Sequence, residues 1–271
     1  MCELLGLNSN VPTAATFSFT GLSSRGGRTG DHADGWGMAF HDGTGCRVFV
    51  DAGRACDAPL ADFLRRQPLR ARTVLAHIRK ATQGAVGLSN CHPFQREWLG
   101  RHWLFCHNGD LGTFRPPLDG NALPVGDTDS EWAFCWLLAQ LRRRFTLAPD
   151  WPELAPVLAE LLPEISAHGV FNMLLTDGRA VYAHASTRLS WVQRVHPFAL
   201  PRLVDHDVEI DLGAANGPSD RMVVVATSPL TTGEKWQAFA PGEFRVFADG
   251  LTVWETVIAG AAVERETRVA A

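Results

Sequence analysis

The order of elements constrains this chain more than any single motif. Hydrophobic periodicity reads as strands, then two consecutive helices, then strands again. Thr73-Val74-Leu75-Ala76-His77-Ile78-Arg79 and Trp103-Leu104-Phe105-Cys106-His107 are apolar enough to be central strands, the second stopped by Asn108-Gly109. Thr128 or Asp129 caps the first helix, which runs through Trp132, Phe134, Leu137, Leu138 and Leu141 to the basic turn Arg142-Arg143-Arg144. Trp151-Pro152 opens the second, with Leu154, Val157, Leu158, Leu161 and Leu162 on one face and a bend or break near Pro163. A doubly wound parallel fold would alternate strand and helix. Two consecutive helices between groups of strands instead predict an α+β fold of two packed antiparallel sheets with helices outside.

The remaining elements fit that plan. A strand is predicted over 3–7, a short helix within 10–24, a glycine-rich loop over Arg25 to Gly30, and a strand leading out of Asp34-Gly35-Trp36-Gly37. His41 to Gly45 is a turn before a strand over 46–50, and 58–66 has helical spacing. Asp177-Gly178 joins 171–175 to 180–183 as a hairpin. Further strands are expected at 190–194, 207–212, 221–226 and 243–248. No internal repeat or linker divides the chain, so one domain over 2–271 is the simplest organisation.

The 271 residues, 46% hydrophobic and 20% charged, suit a globular domain with a substantial core. A net charge of −4 offers no basic face for nucleic acid. No apolar run reaches membrane-spanning length and no secretory signal precedes the cysteines, so a cytoplasmic protein with reduced thiols is expected, without membrane partners. The adjacent pairs Cys91-His92 and Cys106-His107 point to opposite strand faces, which suits no tetrahedral site, and no metal is expected. The loop from Arg25 to Gly30 lacks a Lys-Ser/Thr ending and is no phosphate-binding loop. No cofactor is called for.

Chemistry enters at the second residue. Removal of Met1 would leave Cys2 with a thiol beside its own α-amine, a nucleophile and a base on one residue. The plain alternative is a small apolar residue at a frayed end. Asn108-Gly109 suits an oxyanion hole, or simply a hairpin turn. Arg79, at the end of an apolar strand, faces either a structural acid or a ligand carboxylate. Gly126-Asp127-Thr128-Asp129-Ser130-Glu131 either caps a helix or binds an ammonium group.

Taken in order, Met1-Cys2-Glu3-Leu4-Leu5-Gly6, Arg25-Gly26, Asp34-Gly35-Trp36-Gly37, His77 to Thr82, His92-Pro93-Phe94, His107-Asn108-Gly109 and Thr128 to Glu131 resemble the class II glutamine amidotransferases, which are N-terminal nucleophile (Ntn) hydrolases. The likeness is to their stand-alone bacterial members. Ala226 to Leu230 and Pro241-Gly242-Glu243 extend it over most of the chain. The resemblance implies a four-layer αββα sandwich. It implies Cys2 as nucleophile with its α-amine as base, and Asn108 and the Gly109 amide as oxyanion hole. Arg79 would hold the α-carboxylate of a glutamyl group and Asp129 its α-ammonium. Arg25 and Gly26 would border the nucleophile, and Thr82 and His92 would line the pocket. Lys80 stands where the ammonia-channelling members commonly carry Trp. The substrate implied is glutamine, hydrolysed through a γ-glutamyl thioester. The alternatives are a γ-glutamyl peptide or conjugate, as in glutathione breakdown or ergothioneine synthesis, and a non-catalytic glutamine-binding module. A separate synthase subunit is a further implied partner.

Overall fold

The first strand sets the layering. In the computed structural model, which describes residues 2–258, strand β1 (Glu3–Ala14) has both faces covered. Leu5 and Leu7 turn into one core with Phe19, Leu22 and Trp36, while Leu4 turns into another with Leu104, Leu174 and Val181. Gly6 lies on the second face, where a Cβ would sit 3.1 Å from Cδ1 of Leu174. A strand apolar on both faces must be sandwiched, and each residue parity selects its neighbour.

After β1 come α1 (Thr16–Arg25), β2 (Trp36–Asp42), β3 (Gly45–Asp51), α2 (Pro59–Arg66), β4 (Arg70–Ile78), β5 (Phe94–Trp98) and β6 (Arg101–Asp110). Helices α3 (Asp129–Arg144) and α4 (Trp151–Ser166) follow together, then β7 (Val170–Thr176), β8 (Ala180–Ala185), β9 (Ser190–Val195), β10 (Arg202–Leu203) and a short α5 (Leu212–Ala215). The last described elements are β11 (Arg221–Ala226), β12 (Thr231–Thr232), β13 (Gln237–Ala238), β14 (Glu243–Ala248) and β15 (Leu251–Val257).

Seven strands form one sheet in the order β13-β9-β11-β1-β4-β2-β3, and six form the other in the order β15-β14-β8-β7-β6-β5. The pairings in both are antiparallel. The core between the sheets joins Leu4, Leu75 and Val225 to Leu104, Leu174 and Phe247. Helices α1 and α2 cover the outside of the first sheet through Phe19, Leu22, Ala61 and Leu64. Helices α3 and α4 cover the second through Phe134, Leu138, Leu158 and Leu162. The result is the four-layer αββα sandwich. No helix among the described residues is long and apolar enough to cross a membrane. The expected domain boundary at 271 falls outside the described residues.

Four local expectations are corrected. The first strand continues past residue 7, because the buried polar side chains that follow are satisfied: Asn8 donates to Oγ1 of Thr73 (3.4 Å) and the Arg179 carbonyl (3.2 Å), and Ser9 donates to the Val11 carbonyl (2.6 Å). Residues 207–212 form no strand; Asp211 accepts from the amides of Gly213 and Ala214 and starts α5. Helix α4 runs through Pro163 and ends at Ser166. Strand β6 does not stop at Asn108-Gly109, which pair with Asn172 and Phe171 inside the sheet.

Candidate functional site

The site forms where the two sheets meet at the head of β1. Glu3 pairs with Ile78 of β4, so Cys2 lies against the chain that leaves that strand. Its sulfur accepts from the Lys80 amide (3.3 Å) and lies 3.3 Å from the Lys80 carbonyl. From the other sheet, Asn108 exchanges two bonds with the same residue: Cys2 N donates to Oδ1 (2.9 Å), and Nδ2 donates to the Cys2 carbonyl (2.5 Å). Cys2 and Asn108 are 106 positions apart. Their contact is therefore a product of the sheet-on-sheet packing.

Asn108 is fully buried and fixed from behind. Nδ2 of Asn172 donates to its carbonyl (3.0 Å), and Oγ1 of Thr227 accepts from its Nδ2 (3.3 Å) while also accepting from the Leu4 amide (2.9 Å). Neither Asn172 nor Thr227 was singled out in the sequence for this role. A lone Asn or Thr in an apolar strand carries no spacing signal. Gly109 is tightly enclosed, and a Cβ there would collide with the Val170 carbonyl.

Arg79 and Asp129 are both buried. Arg79 is 3% exposed, and its guanidinium donates to the carbonyls of Gln83 (2.8 Å), Ala85 (3.0 Å), Gly84 (3.3 Å) and Asp34 (3.4 Å). Asp129, 4% exposed in the first turn of α3, accepts from the amides of Leu111 (2.7 Å) and Ser130 (2.8 Å). The cap of that helix is Thr128, whose hydroxyl accepts from Glu131 N. The loop after Arg79 lies on the Asp129 side: Gln83 donates to Asp110 (2.5 Å), and Asp127 accepts from Asn90 (2.6 Å). Among the described residues neither Arg79 nor Asp129 has an ion-pair partner.

The other sequence candidates are placed differently. Arg25 is committed: it bridges Glu3 (2.8 Å) and Asp205 (2.7 Å) and donates to the carbonyls of Pro229 and Ser228. It fixes the residue after Cys2 and leaves little for a ligand. Gly26 packs where a Cβ would meet that of Ala55 at 2.5 Å. Thr82 is exposed on the loop after Arg79. His92 is buried between His77 (ring centroids 4.2 Å apart) and Phe94 (4.3 Å), with neither ring nitrogen partnered. The Lys80 side chain pairs with Asp31.

Burial governs the titrating groups. It pushes the Cys2 thiol up, against the pull of the Lys80 amide, so the resting sulfur keeps its proton. It pushes His77 down to about 3 and His92 well below the ordinary imidazole value. His107 is also lowered by burial, opposed by the charge of Asp129. No group of described residues is arranged to hold a metal ion.

This arrangement joins a partly buried thiol, an amide-bearing side chain across from it, and two opposite charges. A family model described as class II glutamine amidotransferases matches residues 1–269. The chain belongs to that family. It is 49% identical over 251 residues to the Escherichia coli K12 protein named "Putative glutamine amidotransferase YafJ", covering 92% of this chain and 98% of that one. The 2.0 Å crystal structure of a predicted glutamine amidotransferase from Pseudomonas aeruginosa PA01 superposes with a TM-score of 0.74 at 41% identity, over 93% of this chain and all of that one. The B. subtilis glutamine PRPP amidotransferase shares the fold alone, with a TM-score of 0.58 at 15% identity, over 95% of this chain and 49% of that one. The αββα sandwich is thus a fold shared with these glutamine amidotransferases.

Proposed function

We propose that the protein hydrolyses the side-chain amide of glutamine, with Cys2 as nucleophile after removal of Met1. One observation carries the proposal. Two buried charges of opposite sign, Arg79 and Asp129, stand without ion-pair partners on segments that flank the Cys2–Asn108 contact. Neutral backbone groups hold both side chains but do not neutralise them, and the α-carboxylate and α-ammonium of an amino acid would supply the opposite charges.

The chemistry follows from the burial of the sulfur. A protonated thiol is a weak nucleophile, so a base must take its proton as it attacks. The α-amine of processed Cys2 has an ordinary pKa of about 7.7–8.0 and is two carbons from the sulfur. Sulfur adds to the amide carbon of glutamine, and the carbonyl oxygen becomes an oxyanion. Nδ2 of Asn108 and the Gly109 amide stabilise it, Nδ2 giving up its longer bond to Thr227. The protonated amine returns the proton to the departing nitrogen, so ammonia leaves and a γ-glutamyl thioester remains on Cys2. Water then cleaves the thioester, releasing glutamate and the thiol.

Ammonia and glutamate release measured on wild type and Cys2→Ala tests this. Turnover is expected to vanish in Cys2→Ala, and N-acetylglutamine and 4-aminobutyramide are expected to be poor substrates, since each lacks one charge. Full activity of Cys2→Ala would overturn the proposal. The recognition of the α-carbon end leaves the leaving amine open. A γ-glutamyl peptide cleaved faster than glutamine would move the reading to γ-glutamyl hydrolysis.

A further inference from the structure

A cavity of small-molecule size among the described residues lies well away from Cys2. It opens at the other end of the sandwich, about 23 Å along β1 if the seven steps from Cys2 to Ser9 each rise about 3.3 Å. Its volume is about 590 Å³, within the range of small-molecule sites. One wall is the start of β4 with the turn between β2 and β3; the other is the start of α4 with the turn between β7 and β8.

Three features give the cavity a chemistry. The first is His41, only 6% exposed, whose side chain lies at the cavity wall. Burial holds its pKa near 4, so at neutral pH the ring is an uncharged donor or acceptor. Gly178 makes room for it, since a Cβ there would lie 2.6 Å from Nδ1 of His41.

The second feature is charge. The four lining aspartates are all engaged. Asp42 pairs with Arg47 (2.7 Å), Asp177 with Arg101 (2.8 Å), Asp150 with Arg179 (2.6 Å) and Arg101 (3.3 Å), and Asp249 with Arg72 (3.8 Å). Arg70 also lines the cavity and has no carboxylate partner among the described residues, only a 3.4 Å bond to the Pro12 carbonyl. Every lining carboxylate is thus paired, two of them by Arg47 and Arg101 from outside the lining, and Arg70 is the lining guanidinium left without a carboxylate among the described residues. The third feature is the aromatic flank of Trp151 and Tyr182.

We propose that this cavity is a second binding site, separate from the catalytic one, for a small organic anion whose carboxylate or phosphate meets Arg70 and whose flat apolar body lies against Trp151 within reach of His41. A guanidinium fork suits either anion, and a planar body suits an indole ring. Isothermal titration of the full-length protein with phenyl phosphate and with benzoate, phenol serving as the neutral control, tests it. One-to-one binding of at least one anion and none of phenol is expected. Arg70→Ala should weaken it about tenfold or more. Arg70 is exposed, so that variant keeps its fold; His41→Phe should weaken binding as well. Cys2→Ala should bind normally, which separates this site from the proposed catalytic one. Tighter phenyl phosphate would assign a phosphate ester, and tighter benzoate a carboxylate. No saturable binding of either anion up to about 10 mM, affinity unchanged by Arg70→Ala, or binding abolished by Cys2→Ala would each overturn the proposal.

Discussion

Asn108→Ala separates what this side chain does for the fold from what it does for the reaction. Truncation removes the acceptor of the Cys2 N–H bond (2.9 Å) and the donor to the Cys2 carbonyl and Thr227. The Thr227 hydroxyl still accepts from the Leu4 amide, and water can reach the partly buried Cys2. The fold therefore loses about 1–3 kcal/mol for one stranded polar group. A domain stable by about 5–15 kcal/mol survives that loss. Catalysis loses an oxyanion donor, worth about 2.7–4 kcal/mol or a factor of about 10²–10³ in kcat. Arg79 and Asp129 do not touch Asn108 through any side-chain bond, so KM for glutamine should change little. The assay is glutamate production coupled to glutamate dehydrogenase, beside urea unfolding of the same preparation. A folded variant with kcat within about threefold of wild type, against the roughly hundredfold minimum set by a lost donor, would refute the oxyanion role.

Three other perturbations test the frame around the site. Arg25→Ala leaves Glu3 and Asp205 as uncompensated, largely buried acids, and should cost about 3–5 kcal/mol, seen as a large fall in thermal midpoint; an unchanged midpoint would contradict the clamp. Gly109→Ala drives a Cβ into the Val170 carbonyl and should open the β6–β7 ladder, so amide exchange along Val170–Thr176 should accelerate. Acid should destabilise the protein through its buried imidazoles. His184 has a folded value of about 4 against 6.5 unfolded, so its contribution is complete above 6.5 and is lost as pH falls toward 4. That loss amounts to about 3 kcal/mol at about 1.4 kcal/mol per pH unit, and His184→Gln should flatten urea midpoints between pH 6.5 and 4.

Much of the candidate site could be marked out in the sequence because its residues carry chemistry in a fixed order. Cys2, Arg79, Asn108 and Asp129 were marked by residue type and by their neighbours in sequence. The element order gave the layers, since two adjacent helices cannot cross over between parallel strands. Less visible was anything that depends on long-range pairing. Asn108-Gly109 has the composition of a hairpin turn, yet β7 pairs past it and makes it the interior of a strand. Asn8 and Ser9 look like a strand end until Thr73 and Arg179 are brought to them by β4 and the β7–β8 turn. Arg25 reads as a pocket residue, whereas its acids come from positions 3 and 205. Thr227 and Asn172 reach Asn108 from 119 and 64 positions away.

The central claim is that the thiol of a processed N-terminal cysteine is the nucleophile of a glutamyl pocket. Intact mass of the purified protein, before and after exposure to a diazoketone analogue of glutamine, tests it most directly. A mass lacking Met1 and a single adduct mapped to Cys2 are predicted. Retained Met1 with no adduct, or an adduct on any of the other five cysteines, would contradict the account.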